Sequence, residues 1–498
     1  MMKLFVSFNQ FMSQRKFSFN IKNNLLALKQ NNLFLRSTIH YRNENDNKLD
    51  NDDPDDEKST LLNEVLSYTC LTDLSPKNVF VILPRNRSKK RSFEENELLL
   101  DETKALVETI PYWRVSGSAI VSAKSLRSDY IFGKGNLESL KDYCRNQSTN
   151  GIVFGVDTLK PSQHYFFRDF LGIEVYDRFS IILKIFRERC RTKEARIQLA
   201  MAELNYVQKN LHHLTANDFQ NFSLSQSFGG NFDTFYQIKK RVIQERESQL
   251  KDKLSKITQS YAVKRKNRAS LEIPTVAIVG YTNSGKTSLI KALTNNDEIV
   301  PEDRLFATLD VTNHQITLPS KLKALLIDTI GFISDIPLTL VHCFKSTLTE
   351  ICNADLIVHV VDASHPNRSK QIETVQNTLK EIDVPSKLIE TMIEVSNKID
   401  KVPESEIEKF DGLTISATEK INLNELVKKI ENRIITNTDR LALKLKVLNG
   451  GQEYGWLFKE ASVVECVPDQ EDPNYALMKI LITKSKIGRF RKLFKHEN

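Results

Sequence analysis

Nowhere in its 498 residues does the chain carry eighteen consecutive apolar residues, the length a membrane-crossing helix requires, so the sequence predicts no membrane span. Its six cysteines (Cys70, Cys144, Cys190, Cys343, Cys352, Cys466) are scattered without CxxC spacing, which argues against a zinc site and a disulfide framework and suits a reducing compartment. Acidic residues are missing from Met1 to Asn43, where seven lysines or arginines (Lys3, Arg15, Lys16, Lys22, Lys29, Arg36, Arg42) are interleaved with Phe, Leu and Ser. That segment also lacks the unbroken apolar core of a secretory signal. Basic, acid-free and partly amphipathic, residues 1–43 predict a mitochondrial presequence and hence a matrix location; the alternative is a disordered basic tail. The charge then reverses: Asp50 to Glu57 is almost wholly acidic, and 44–75 reads as a disordered spacer with nothing to bury.

What remains can build cores. Apolar residues make up 40% of the chain, and its length leaves room for about three domains. The net charge of +8 favours an anionic partner, but seven of the positive residues sit in the presumptive presequence, so charge alone does not name RNA.

The most informative stretch is Gly280-Tyr281-Thr282-Asn283-Ser284-Gly285-Lys286-Thr287-Ser288, which fits G-x-x-x-x-G-K-[ST] between the apolar run Val276–Val279 and the helical Ser288–Leu293. Strand, glycine turn and helix in that order form a P-loop. Glycines let the backbone wrap a polyphosphate, the helix start offers unpaired N–H groups, and Lys286 supplies a point charge. Thr287 is placed to hold Mg²⁺, and the amide oxygen of Asn283 to ligate a monovalent cation such as K⁺ beside the phosphates.

Three further segments follow in the order a GTPase requires. Asp328-Thr329-Ile330-Gly331 ends the apolar run Ala324–Ile327, with Asp328 near Mg²⁺ and the Gly331 N–H facing the γ-phosphate. Asn397-Lys398-Ile399-Asp400 follows Met392–Val395, and its aspartate can accept from the N1 and N2 hydrogens of guanine, which adenine cannot match. Ser416-Ala417-Thr418 then closes over the guanine O6. The expected ligands are GTP and GDP with Mg²⁺. The residue after Gly331 is Phe332, where many GTPases place a glutamine that orients the attacking water, so slow hydrolysis by the free protein is expected.

Residues 76–178 read as an α/β domain, with strands at Val79–Leu83, Ala119–Val121, Gly151–Gly155 and Ile173–Tyr176, a helix at Glu94–Ile110 and a glycine turn at Phe132–Asn136. The turn fits either a phosphate contact or a plain strand-to-helix connection. Within 179–262, apolar residues at Ile197, Met201, Leu204, Val207 and Leu211, and again at Ile238, Val242, Leu250, Leu254 and Ile257, predict two long helices paired as a hairpin. Its outside is expected to be basic: Arg187, Arg189, Arg191, Lys193 and Arg196 on the first arm, Lys239, Lys240, Arg241 and Arg246 on the second. An aromatic tip between His212 and Phe232 could stack on unpaired RNA bases, although a merely solvated charged face fits equally well. A basic linker (263–273), the P-loop domain (274–437) and a small α/β domain (438–498) complete the chain.

Four segments together carry a resemblance. The P-loop, Leu305–Asp310, Asp328–Ile333 and Phe344–Leu348 are similar to the HflX family of ribosome-associated GTPases, and Phe132–Gly135 and Leu171–Arg178, leading to Arg189–Lys193, resemble that family's amino-terminal domain. With the presequence, the resemblance is to its mitochondrial members in animals. It implies an α/β fold: a P-loop GTPase domain with a mostly parallel sheet and helices on both faces, preceded by an α/β domain and long helical hairpin and followed by a small α/β domain. It also implies that Thr308 is the switch threonine closing on Mg²⁺, so that Lys286, Thr308 and Gly331 carry catalysis and Thr287, Thr308 and Asp328 the metal. The implied partner is the large ribosomal subunit, its RNA and proteins met by the hairpin and tip, with subunit dissociation or late large-subunit maturation as the outcome. No membrane, no DNA and a single copy of the chain are expected. Two departures stand out: Gly229–Asp233 lacks the family's Gly-x-Gly-Glu tip, and Val311–Asn313 lacks an arginine expected after the switch threonine. Arg304 reads as an exposed switch-loop arginine, not a catalytic finger. The competing functional class is a non-catalytic assembly or anti-association factor that uses GTP to hold its RNA-bound shape.

Overall fold

The computed structural model describes residues 75–85, 92–146, 149–221, 232–299, 301–309, 312–334, 345–408, 410, 412–470 and 472–494, all within one compact unit. The predicted presequence, the acidic spacer up to residue 74, residues 222–231 of the predicted tip, Asp310 and Val311, and residues 335–344 lie outside them, whereas 212–221, read as part of the tip, continue the first hairpin helix.

The N-terminal domain is a four-stranded parallel sheet in the order β2-β1-β3-β4. Strand β1 (Lys77–Arg85) leads through α1 (Phe93–Thr109) to β2 (Trp113–Ser122), then α2 (Lys134–Asn146), β3 (Gly151–Phe154), α3 (Pro161–Leu171) and β4 (Glu174–Asp177). Seven of the nine β1 residues are buried, as expected for a central parallel strand covered on both faces. Helix α1 starts on a capping box in which the Ser92 hydroxyl accepts from Glu95 N at 3.1 Å and the Glu95 carboxylate accepts from Ser92 N at 3.1 Å. Helix α3, entered at Pro161 and ended at Gly172 with φ +68°, is an element the sequence reading did not identify.

After β4 the structure departs from a two-helix reading. Helix α4 (Arg178–Arg189) is separate, and the hairpin arms are α5 (Lys193–Asn221) and α6 (Phe232–Leu271). The break has a local cause: the Thr192 hydroxyl accepts from Ala195 N at 3.2 Å and so caps a new helix. Arg187 and Arg189 therefore belong to α4, not to the first arm. Lys239 is also misplaced on a solvated face, being only 2% exposed, whereas Ile238 is 40% exposed. The buried face of α6 runs through Lys239, Ile243 and Leu250, one residue round from the Ile238–Val242 stripe, because the spacing of seven between Ile243 and Leu250 keeps both on one side of the helix. The linker read at 263–273 is helical as far as Leu271.

Strand β5 (Thr275–Gly280) opens the second domain, followed by α7 (Lys286–Thr294), β6 (Thr312–Thr317), β7 (Lys323–Asp328), α8 (Lys345–Cys352), β8 (Leu356–Asp362), α9 (Arg368–Glu381), β9 (Ile393–Asn397), β10 (Leu413–Thr414) and α10 (Leu423–Asn437). The sheet order is β10-β9-β8-β5-β7-β6, parallel except for β6 against β7. This is the mostly parallel P-loop fold expected. The last domain pairs β11 (Arg440–Leu448), β13 (Tyr475–Thr483) and β12 (Ser462–Pro468) in an antiparallel sheet. Helices α11 (Gln452–Glu460) and α12 (Lys484–Phe494) supply Leu457 and Phe490 to its core. Among the described residues no helix is long and apolar enough to cross a membrane.

One hydrophobic core joins the first two domains. It runs from Val81 and Leu106 through Ile181, Ile182 and Phe186 of α4 to Val279, Tyr281, Phe306 and Phe332. The register of α6 can be checked directly: Ile243→Ala should cost about 2–5 kcal/mol of stability and Ile238→Ala less than about 1 kcal/mol in denaturant titrations followed by circular dichroism. Equal costs would restore the apolar stripe read from sequence.

Candidate functional site: a phosphate cradle and a base loop

The P-loop is built where β5 meets α7. A Cβ on Gly280 would lie 2.3 Å from the Val360 carbonyl oxygen, and one on Gly285 2.3 Å from Asn397 Nδ2, with Gly285 at φ +89°; neither position admits a side chain. Lys286 Nζ donates to the carbonyls of Gly280 at 3.2 Å and Tyr281 at 2.8 Å. Burial pushes its ammonium down to about 8, with Asp328 pulling the other way and Lys398 adding to the fall. A cation held dry on two carbonyls regains favourable interaction when phosphate oxygens reach it.

Three oxygens meet beside it. The Thr287 hydroxyl lies 2.9 Å from Asp328 Oδ2, the Thr308 hydroxyl 3.0 Å from the same atom, and the two hydroxyls 2.8 Å apart. Burial drives the Asp328 carboxyl above its ordinary value, opposed by Lys286 and by the two hydroxyls. Its Oδ1 is buried and without a hydrogen-bond partner. One carboxylate and two hydroxyls, with no His, Cys, Asp or Glu cluster among the described residues, fit a hard cation that takes its other ligands from phosphate and water. Gly331 closes the cradle: a Cβ there would lie 2.9 Å from Thr282 Cα and 3.1 Å from Lys286 Nζ. Thr329 is buried and donates to Ile278 O at 2.7 Å, and Ile330 is buried beside it. The buried hydroxyls of Thr282 and Ser284 have no partner. Asn283 sits at φ +59° with its amide nitrogen donating to Asp303 at 2.8 Å, and Ser288 and the exposed Arg304 line the same cleft.

The base loop is tied to the cradle by one side chain. Asn397 donates from Nδ2 to Ser284 O at 3.0 Å and accepts through Oδ1 from Ala417 N at 3.0 Å. The Ser416 hydroxyl donates to Asp400 at 2.6 Å, orienting a carboxylate that is otherwise open to solvent, and Thr418 is exposed next to it. Lys398, at φ +64°, pairs with Asp362 at 2.8 Å.

Phosphate cradle, oxygen triad and base loop thus converge, and comparison with known proteins says whose they are. A family model described as "50S ribosome-binding GTPase" matches residues 275–398, and models described as "GTP-binding GTPase N-terminal" and "GTP-binding GTPase Middle Region" match 97–187 and 189–268. The GTPase HflX of Caldanaerobacter subterraneus is 36% identical over 377 residues, covering 75% of this chain and 86% of that one. The chain belongs to the HflX family of GTPases. A GTP-binding protein 6 of Xenopus laevis is 38% identical over 419 residues, 84% of this chain and 79% of that one, and its human counterpart 36% over 448, 89% and 86%. Like its HflX relatives, the chain is an enzyme that hydrolyses GTP.

Several contacts around this HflX site escaped the sequence reading. Tyr281, from within the P-loop, donates its hydroxyl to Glu102 of α1 at 2.5 Å and accepts from Ser334 N at 2.7 Å. Burial first, and the Glu102 carboxylate next, hold its phenol well above the ordinary value, so it stays a donor. Glu102 pairs with Arg178 at 2.5 Å. A tyrosine among the variable P-loop positions was the only local signal, and nothing in the string says how far its ring reaches.

Replacing Asn397 by Ala would leave the Ser284 carbonyl and the Ala417 N–H without this partner. We expect affinity for guanine nucleotide to fall at least about tenfold, measured by titration with a fluorescent GDP; an unchanged affinity would mean that cradle and base loop hold their places independently.

Proposed function

We propose that this HflX-family enzyme works on the large subunit of the mitochondrial ribosome, gripping ribosomal RNA and protein with the α5–α6 hairpin and its tip. GTP hydrolysis there promotes ribosome dissociation and recycling, late large-subunit maturation, or both. One observation carries the need for a partner. Phe332, which follows Gly331, is 3% exposed, bridged to Tyr281 and bonded to Gly280 O at 3.1 Å. A ring packed into the core cannot orient an attacking water, so the free enzyme lacks that function at this position. The description of the matching family model, "50S ribosome-binding GTPase", supports the choice of partner. The basic residues left on the hairpin surface, with Lys193 and Arg241 exposed, together with the exposed Arg191 in the connection before the first arm, supply the attraction for phosphate.

In this reading Thr287, Thr308 and Asp328 hold Mg²⁺, which would neutralise charge developing on the β- and γ-phosphates. Lys286 leaves its two carbonyls for the phosphates, the Gly331 N–H meets the γ-phosphate, and Gly280–Ser288 wrap the chain of phosphates. Asp400 reads guanine, with Asn397 holding its loop and Ser416, Ala417 and Thr418 closing over the base. Asn283 provides the ligand for a monovalent cation such as K⁺. Residues 1–43 direct the chain to the matrix, and the protein acts as a monomer.

The decisive measurement is GTP turnover by the full chain with and without purified large subunits. Slow turnover alone and stimulation of at least about tenfold by subunits are expected; rapid turnover that ignores subunits would refute the scheme. Lys286→Ala separates the enzyme from a passive clamp, because ribosome dissociation that survives this substitution leaves GTP as a mere ligand. Equal turnover in potassium and sodium would remove the role given to Asn283.

A further inference from the structure

Helix α4 touches two loops of the nucleotide site, the one that follows Gly331 at one end and the one that leads into Thr308 at the other. Its twelve residues span about 18 Å. At the N-terminal end, Arg178 donates to Ser334 O at 3.1 Å and pairs with Glu102, itself bonded to Tyr281 of the P-loop. At the C-terminal end, the rings of Phe186 and Phe306 meet edge to face with centroids 4.9 Å apart. One turn on, Arg189 Nη1 donates to Ala307 O at 3.3 Å and to Glu302 at 2.8 Å. Ala307 immediately precedes Thr308, the residue whose hydroxyl meets Thr287 and Asp328.

Phe306 makes the attachment conspicuous. It occupies the left-handed region at φ +53°, unfavourable for a residue with a side chain, yet it is 1% exposed. Its ring is held against α4 at the expense of backbone comfort, which fixes the direction of the chain entering Thr308. Only Cys190, Arg191 and Thr192 separate α4 from the first hairpin arm.

We propose that Arg189 is a positioning residue for GTP hydrolysis: by holding the Ala307 carbonyl it keeps the Thr308 hydroxyl against Thr287 and Asp328, and so links the root of the hairpin to the switch that senses the γ-phosphate. This rests on the GTPase reading of the site and adds the route by which a load on the hairpin reaches it. The exposed ion pair to Glu302 alone would carry little, since solvent-facing pairs are weak; the bond to the carbonyl beside Thr308 gives the arginine its leverage.

The test is a double-mutant cycle in the full chain with Arg189→Ala, Thr308→Ala and both together. Arg189→Ala is expected to lower kcat about tenfold, and to speed release of a non-hydrolysable GTP analogue, with KM rising in step, while GDP release stays the same. In a Thr308→Ala background it should do nothing further, and Arg189→Lys should restore part of the loss. Effects that multiply in the double variant, or equal acceleration of analogue and GDP release, would overturn the proposal. Should Arg189→Ala unfold, as judged by circular dichroism, Phe186→Leu replaces it with the same expected signature and the same overturning result. Wild-type chain that fails to bind GTP would instead defeat the underlying GTPase reading, an outcome distinct from either.

Discussion

The architecture depends on the burial of helix α4 between two domains. Nine consecutive residues, Arg178 to Phe186, are buried, so the helix is covered all round and not along a single stripe. Ile181, Ile182, Leu183 and Ile185 each bury a side chain worth about 1.5–3 kcal/mol when fully removed from water. Lys184 is buried as well, its ammonium 5.4 and 5.3 Å from the ring centres of Trp113 and Tyr176, an arrangement in which aromatic faces replace part of the lost hydration. A helix held so tightly cannot shift without disturbing the N-terminal sheet and the P-loop domain together. That rigidity gives the first hairpin arm a firm base and sets the position of Phe306.

The nucleotide site works on a different principle, charge withheld from water. Lys286 and Asp328 are both buried and each is displaced toward its neutral form by desolvation, while each pulls the other back. Water would screen both groups; the P-loop fold instead keeps them dry and close, at the cost of leaving Asp328 Oδ1 and the hydroxyls of Thr282 and Ser284 without partners. Those unpartnered atoms leave hydrogen-bonding capacity beside the P-loop that a bound nucleotide can take up.

Contacts made within a few residues were legible in the sequence, and contacts that cross the fold were not. The glycines at 280 and 285, the strand before them and the helix after them follow from backbone sterics alone, and so they can be read from the string. The order of Asp328, Asn397 and Ser416 along the chain likewise places three strand ends beside one cleft. The helical period gave the hairpin but not its rotation: Ile238 and Ile243 are both apolar, and only packing against α5 decides between them. The basic run from Arg187 to Arg196 read as one solvated face, yet Thr192 divides it, and Arg189, at the end of α4, reaches Ala307. Tyr281 to Glu102 joins residues 179 apart, a distance no local pattern encodes.

The second arm of the hairpin ends at Leu271, and the next residue, Glu272, is held by the last domain. Its carboxylate accepts from the hydroxyls of Thr483 and Ser485, and its carbonyl from Arg440. Two of these partners lie 211 and 213 positions downstream. During synthesis from the amino end, the Glu272 carboxylate gains these two hydroxyl partners only after nearly the whole polypeptide has been made, so a nascent or truncated product that stops before Thr483 holds this foot of the hairpin through the Arg440 contact without them.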